Sequence, residues 1–161
     1  MKSLRRKRVT GMFEDNLKYE NQKRYWESTR ERRAPEHPVI KAFAEPKIEF
    51  VKKSISTKGQ PGGPRLSMLD VGCGNGFLTF YLEKQYDIVA LDFSLFMLKN
   101  HSYKKNICGS AMDLPFEDGS FDATFCSNLM HHLDKPERAV SEMKRVSRRY
   151  VILSEPNRNN P

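Results

Sequence analysis

Leu66-Ser-Met-Leu-Asp-Val-Gly-Cys-Gly-Asn-Gly-Phe-Leu-Thr79 reads as a buried strand that runs into a glycine turn and then a helix. Met68, Leu69 and Val71 suit a strand covered on both faces. Gly72, Gly74 and Gly76 remove side chains where a backbone has to approach a ligand closely, and the helix behind them turns its unpaired N–H groups toward the same point. The spacing of these glycines is more telling than their number. A dinucleotide-binding turn carries its third glycine five positions after the first, and here that position is Phe77. A phosphate loop of the Walker type is excluded too, because no Gly-Lys-Ser/Thr follows.

The second landmark is Asp87-Ile-Val-Ala-Leu-Asp92, a short apolar run ending in a carboxylate twenty residues beyond Gly72. In a parallel pair the C-terminal ends of both strands share one edge of the sheet. Asp92 is therefore expected beside the glycine turn, where its carboxylate suits the hydrogens of two vicinal hydroxyls. The alternative is an ordinary strand-end Asp that caps the next helix, although Ser94 is the better cap for residues 95–100.

Phe121-Asp-Ala-Thr-Phe-Cys-Ser127 and Arg149-Tyr-Val-Ile-Leu-Ser154 are two further predicted strands, and residues 106–109 supply a short one. Between the first two, Asp134 and Glu137 are expected to form a capping box. Pro136 is tolerated in the first turn there, and Val140, Met143 and Val146 recur at helical spacing. Upstream, Pro46 is expected to start a helix in which Ile48, Val51 and Ile55 share a face. Residues 56–65, with Lys58-Gly-Gln-Pro-Gly-Gly-Pro64, break both helix and strand and read as a linker. The chain thus divides into a basic helical segment with its linker, 1–64, and a core, 65–161. Strands that alternate with helices make the core an α/β unit with a largely parallel sheet.

Leu69-Asp-Val-Gly-Cys-Gly-Asn-Gly76, Leu91-Asp-Phe-Ser94, Asp113-Leu-Pro-Phe116 and Ser120-Phe-Asp122, in this order and spacing, resemble the motifs of class I S-adenosylmethionine-dependent methyltransferases. The likeness is strongest to the branch that includes many small-molecule methyltransferases. It covers about residues 66–157. The resemblance implies a Rossmann-like, doubly wound, mostly parallel sheet in a three-layer α/β/α arrangement, with strand order 3-2-1-4-5-7-6 and an antiparallel seventh strand. Because the sequence stops at Pro161, the sheet is expected to be truncated after the fifth strand, the chain being a fragment or a shortened variant. The missing part usually helps to form the acceptor pocket. An uncovered fifth-strand edge is open to pairing, so self-association or reduced solubility is expected.

The resemblance also implies roles. Gly72, Gly74 and Gly76 would wrap the methionine end of S-adenosylmethionine, with Asp70 near its amino group. Asp92 would hold the ribose hydroxyls, and Phe93 would lie against the adenine. Asp113 and the Met112 backbone would meet the adenine edge, and Asn128 would line the floor beneath the reactive methyl. The product would be S-adenosylhomocysteine. A cationic sulfonium without pyrophosphate accords with an acidic Asp70 and with a turn that carries no phosphate-binding Lys.

Methyl transfer is an in-line displacement at an activated carbon, so positioning is the main demand on the protein. Near-attack alignment supplies about 7–11 kcal/mol in well-oriented systems. A general base is needed only where the acceptor must lose a proton. The sequence assigns no catalytic residue. His131 and His132, after the fourth strand, are the candidates for a base, although a His in such a loop more often packs or hydrogen-bonds. No metal is expected: the adjacent pair with Asp134 does not converge easily on one ion, and no further ligand cluster appears.

The 161 residues, 38% of them hydrophobic, suffice for one packed sheet with helices on both faces. Cys73, Cys108 and Cys126 form no C-x-x-C pair and read as reduced thiols of a cytoplasmic protein. No apolar run approaches the roughly eighteen residues of a membrane span, and the charged N-terminus lacks the apolar core of a secretory signal. Residues 1–33 hold eleven of the 28 Lys and Arg and five of the 20 Asp and Glu, so +6 of the net +8 lies there. With Tyr19, Tyr25 and Trp26 among them, these charges could meet nucleic acid. The competing reading is an amphipathic helix over 13–33 that docks on the core or covers the cofactor.

Three functions follow. The leading one is methyl transfer to a small-molecule or lipid-like acceptor. The others are a non-catalytic cofactor-binding or scaffold module, and RNA modification or binding, the last resting on the basic aromatic N-terminus.

Overall fold

The strand Ser67–Val71 (β1) is buried at every position, as expected of a central parallel strand whose two faces are both covered. The computed structural model describes residues 24, 33–55, 64–101, 103 and 105–157. The basic segment 1–23, the proposed helix over 13–33 and most of the linker lie outside the described residues, apart from Arg24 and Arg33. Around β1 stand β2 (Asp87–Asp92), β3 (Asn106–Cys108), β4 (Phe121–Ser127) and β5 (Ser147–Ser154). All four pairings are parallel and the order is β3-β2-β1-β4-β5. This is the first part of the order that the motifs imply. The sixth and seventh strands of that order have no counterpart among the described residues.

Alternation along β1 builds two cores. Met68 joins Ile88, Ala123 and Phe125 under α1 (Pro38–Ser54) and α2 (Phe77–Leu82), where Ile48, Val51, Ile55 and Leu82 are buried. Leu69 and Val71 face the other way, against Phe121, Leu91 and the Ala139, Met143 and Val146 stripe of α4 (Pro136–Val146). The sheet is thereby covered on both faces, in three layers. A short helix, α3 (Leu95–Lys99), follows β2, and the hydroxyl of its N-cap Ser94 accepts the Met97 amide at 3.3 Å.

Three details differ from the sequence reading. Pro46 does not start α1. The helix begins at Pro38, behind His37, whose Nδ1 accepts the Val39 amide at 3.2 Å, and Pro46 is carried inside it. The apolar face of Ile48, Val51 and Ile55 is nevertheless the buried one, so tertiary packing overrides the missing N–H. The Asp134–Glu137 capping box does not form either. Pro136 occupies the first helical position, which puts the N-cap at Lys135, one residue later, with no side-chain cap bond. Strand β5 begins at Ser147, directly after α4, two residues before the predicted start.

Candidate functional site

The C-terminal ends of β1, β2 and β4 meet at one edge of the sheet, and the glycine turn leaves β1 there. Gly72, Gly74 and Gly76 have φ of +74°, +56° and +85°, all in the left-handed region that favours glycine. Each uses its missing side chain differently. At Gly72 a Cβ would stand 2.8 Å from Leu129 Cδ2, and at Gly76 it would overlap the His101 ring. At Gly74 it would meet nothing within 4 Å, so this backbone faces open space.

The turn is tied to β2 through Asp92. Its Oδ2 accepts the Gly74 amide at 2.8 Å and its Oδ1 accepts the Ser94 amide at 2.8 Å. The Gly72 and Cys73 amides donate to the Leu91 carbonyl at 2.7 and 3.0 Å. Beside these contacts lies an open cleft lined by Gly72, Asp92, Phe93, Met112, Leu129 and Leu133 among others. Among the described residues Asp92 is the charged member of this lining, which contains no Lys or Arg.

Of the residues singled out from the sequence, Gly72, Asp92, Phe93 and Met112 line this cleft, whereas Asp70, Gly74, Gly76, Asp113 and Asn128 are not part of its lining. Asp70 is 3% exposed on β1, with Thr79 Oγ1 donating to its Oδ2 at 2.6 Å. Burial, with a further push from the Asp92 charge, raises Asp70 to about 7 against the opposing Thr79 hydrogen bond. Asp113 closes a one-bridge turn with Ser110, whose hydroxyl also accepts the Met112 amide at 3.2 Å. Asn128 turns the chain out of β4 with φ +54°, and its amide donates to the Ser154 carbonyl at 2.9 Å. Burial raises the Cys73 thiol well above its ordinary value, which suits a small packing residue rather than a nucleophile.

The sequence reading missed Glu155. It follows β5 at the same sheet edge, and its Oε1 accepts the Leu129 and Met130 amides at 2.8 and 3.1 Å. Its Oε2 stands 2.7 Å from His131 Nδ1. Burial pushes Glu155 up, but His131 and the two amides outweigh it and hold the carboxylate below its ordinary value. The signal was the one used for Asp92, a carboxylate just past the end of a parallel strand. Thr79 and His101, joined behind the turn, were missed as well. Ser120-Phe-Asp122 proves structural: Asp122 accepts the Ser67 amide at 2.9 Å and pairs with Arg148 at 2.9 Å. Among the described residues no group of three or more His, Cys, Asp or Glu is placed to hold a metal ion, and no helix is long and apolar enough to cross a membrane.

A family model described as a methyltransferase domain matches residues 69–153. An uncharacterised protein of Methanocaldococcus jannaschii is 38% identical over 100 residues, covering 61% of this chain and 44% of that protein. A demethylmenaquinone methyltransferase of Renibacterium salmoninarum is 40% identical over 90 residues, covering 53% of this chain and 38% of that protein. Among solved structures, magnesium protoporphyrin IX methyltransferase from Synechocystis with bound S-adenosylmethionine matches with a TM-score of 0.64 at 16% identity, a likeness of fold. That match covers 88% of this chain and 77% of the other. The chain spans less than half the length of these two sequence relatives.

Proposed function

This chain belongs to the methyltransferase-domain family and has the class I S-adenosylmethionine-dependent methyltransferase fold, and from that premise we propose that its cleft binds S-adenosylmethionine and that the protein methylates a small or lipid-like acceptor. The observation that carries the reading is the Gly74 amide held on the Asp92 carboxylate. It sets bare backbone and an acid side by side at a cleft whose lining, among the described residues, has no basic side chain. A pyrophosphate-binding turn would carry a glycine where this chain has Phe77, whereas a cationic ligand with ribose hydroxyls suits the acid at this turn.

The residues present suit such a ligand. Open space at Gly74 admits an aminoacyl chain against the backbone. Asp92, which holds the Gly74 and Ser94 amides, also lines the cleft, where a carboxylate is the natural acceptor for ribose hydroxyls. The buried Ser127 Oγ, at the C-terminal end of β4, has no hydrogen-bond partner, and a polar ligand atom at this edge would satisfy it. Phe93 and Met112 take the adenine, with Asp113 at its edge. Asn128 lies under the methionine, and Asp70 supplies negative charge near the amino group. In this reading residues 65–161 are the cofactor-binding unit, and 1–64 are accessory to it.

When bound, S-adenosylmethionine supplies a methyl group on a sulfonium, an electrophile that needs no further activation. The chain's part is orientation and exclusion of water by Met112, Leu129 and Leu133. Where the acceptor carries a proton, His131 takes it. Its Nδ1–H donates to Glu155 Oε2, which leaves the Nε2 lone pair as the base. The name of the Renibacterium relative supports a small, lipid-like acceptor.

The test is titration calorimetry of the full chain with S-adenosylmethionine and with NAD. The expected outcome is saturable binding of the sulfonium ligand and none of the dinucleotide. Tighter binding of NAD, or no heat with S-adenosylmethionine, overturns the assignment.

A further inference from the structure

Behind the glycine turn, away from the cleft lining, three polar side chains are linked in a row. Thr79, fully buried on α2, donates its hydroxyl to Asp70 Oδ2 at 2.6 Å. The remaining lone pairs of that hydroxyl face His101 Nε2 at 3.3 Å. The tautomer is fixed from the far side of the ring, where the Tyr103 amide donates to Nδ1 at 3.0 Å. With Nδ1 accepting, the neutral imidazole carries its hydrogen on Nε2. Every proton then points one way, from His101 to Thr79 to Asp70. The ring is held in this place by the third glycine: it fills the volume that a Cβ at Gly76 would claim.

We propose that Asp70, Thr79 and His101 form a buried relay beneath the glycine turn, whose charge state makes the site prefer a cationic sulfonium ligand to its neutral thioether counterpart. The proposal rests on the cofactor reading above. S-adenosylmethionine carries a sulfonium, an ammonium and a carboxylate, net +1, whereas S-adenosylhomocysteine has lost the sulfonium and is neutral overall. An anionic Asp70 favours the first over the second, and a protonated Asp70 gives up that preference. The donor is then held and the product released by the same side chain.

Among the described residues, the titratable groups that face Asp70 are Asp92 at the end of β2, Cys73 in the turn, Cys126 on β4 and, through Thr79, His101. Burial raises both thiols and lowers His101, so these three are neutral near pH 7. Asp92 supplies the fixed negative charge that raises Asp70, and Thr79 opposes it. The balance puts the Asp70 carboxylate between its two states at about pH 7. His101 is a positioning residue, acting on Asp70 through Thr79.

The full chain is titrated with S-adenosylmethionine and S-adenosylhomocysteine from pH 6 to 8.5, and the ratio of their Kd values is followed. The expected result is at least a threefold rise in preference for the sulfonium ligand across this range. The ligands' own α-amino groups titrate nearby, at about 7.7–8.0 in simple peptides, so Asp70→Asn is run alongside. It keeps their contribution and loses that of the relay. Carbon NMR of the Asp70 carboxyl in the ligand-free protein gives the midpoint directly. Thr79→Val, which removes the donor that favours the anion, is expected to raise that midpoint. His101→Leu raises it by less, and His101→Gln, which retains an N–H donor, restores part of the shift. The two His101 variants carry the comparison where Thr79→Val does not fold. Ratio profiles that coincide in wild type and Asp70→Asn, or a carboxyl midpoint indifferent to these substitutions, overturn the relay alone. Failure of both ligands to bind at every pH overturns the cofactor reading and the relay with it.

Discussion

Asp92 Oδ2 accepts the Gly74 amide at 2.8 Å, so the carboxylate that ends β2 fixes the one glycine of the turn that faces open space. The same side chain thus shapes the backbone and stands in the lining of the cleft. Asp92→Ala removes both contributions and orphans the Gly74 and Ser94 amides. A hydrogen bond to a charged group is worth about 1.5–3 kcal/mol. S-adenosylmethionine is expected to bind at least tenfold more weakly by calorimetry, with faster amide exchange at Gly74. Unchanged affinity removes Asp92 from the ribose role.

Gly74 and Gly76 separate binding from stability. Alanine at Gly76 meets the His101 ring and adopts φ +85°, so overpacking adds to left-handed strain, roughly 2–5 kcal/mol together. Alanine at Gly74 has room in the ligand-free protein and is expected to cost only the strain of φ +56°, about 1–2 kcal/mol. Its methyl then projects into the space assigned to the ligand. Gly76→Ala should melt well below Gly74→Ala, and Gly74→Ala should show the larger loss of affinity relative to its loss of stability. Equal melting temperatures contradict the packing of His101 against Gly76.

Asp70 makes stability fall as pH rises. Its folded value, raised to about 7, lies above its ordinary one, so between them the native state binds the proton more tightly than the unfolded chain. The cost of the buried charge grows through that window and is complete above the folded value. Asn at this position stays neutral. The melting temperature of Asp70→Asn is therefore expected to exceed that of wild type by a margin that widens from pH 5 to 7 and levels off above, on the order of a few kcal/mol in all. A margin that shrinks over this range reverses the sign and rules out a raised Asp70.

The sequence carried the sheet well, and its failures have physical reasons. The apolar Met68, Leu69 and Val71 of β1, the glycine spacing and the position of Asp92 are local signals, and parallel connections turn them into one shared edge. Ser94 capped its helix as read, because an N-cap bond spans only three residues. Pro46 misled because burial of Ile48, Val51 and Ile55 outweighs a single missing amide. His101 lay beyond any local signal. It is tied to Gly76 by the absence of a side chain twenty-five positions earlier, and a sequence does not display a void. Glu155 was legible in principle, by the strand-end argument applied to Asp92, but its partners Leu129, Met130 and His131 come from another strand's loop.

Arg145 extends the same logic to the segment Asp113-Leu-Pro-Phe116, which lies in no regular strand or helix. From α4, Arg145 binds Glu142 through Nε and Nη2, at 2.7 Å each, and reaches the carbonyls of Leu114 and Phe116 at 3.0 and 2.8 Å. Glu142 in turn accepts the Leu114 amide at 2.8 Å. The guanidinium fork is thus a frame for the turn that presents Met112 to the cleft. Lysine retains the charge but has no planar fork, so Arg145→Lys cannot span Glu142 and both carbonyls at once. Loss of two or three charge-assisted bonds, offset in part by water at the 20%-exposed side chain, points to roughly 2 kcal/mol of destabilisation. Because the frame lies outside the cleft, Arg145→Lys should weaken S-adenosylmethionine by less than Asp92→Ala while speeding amide exchange at Leu114. A Leu114 amide protected as in wild type would show that the turn holds itself.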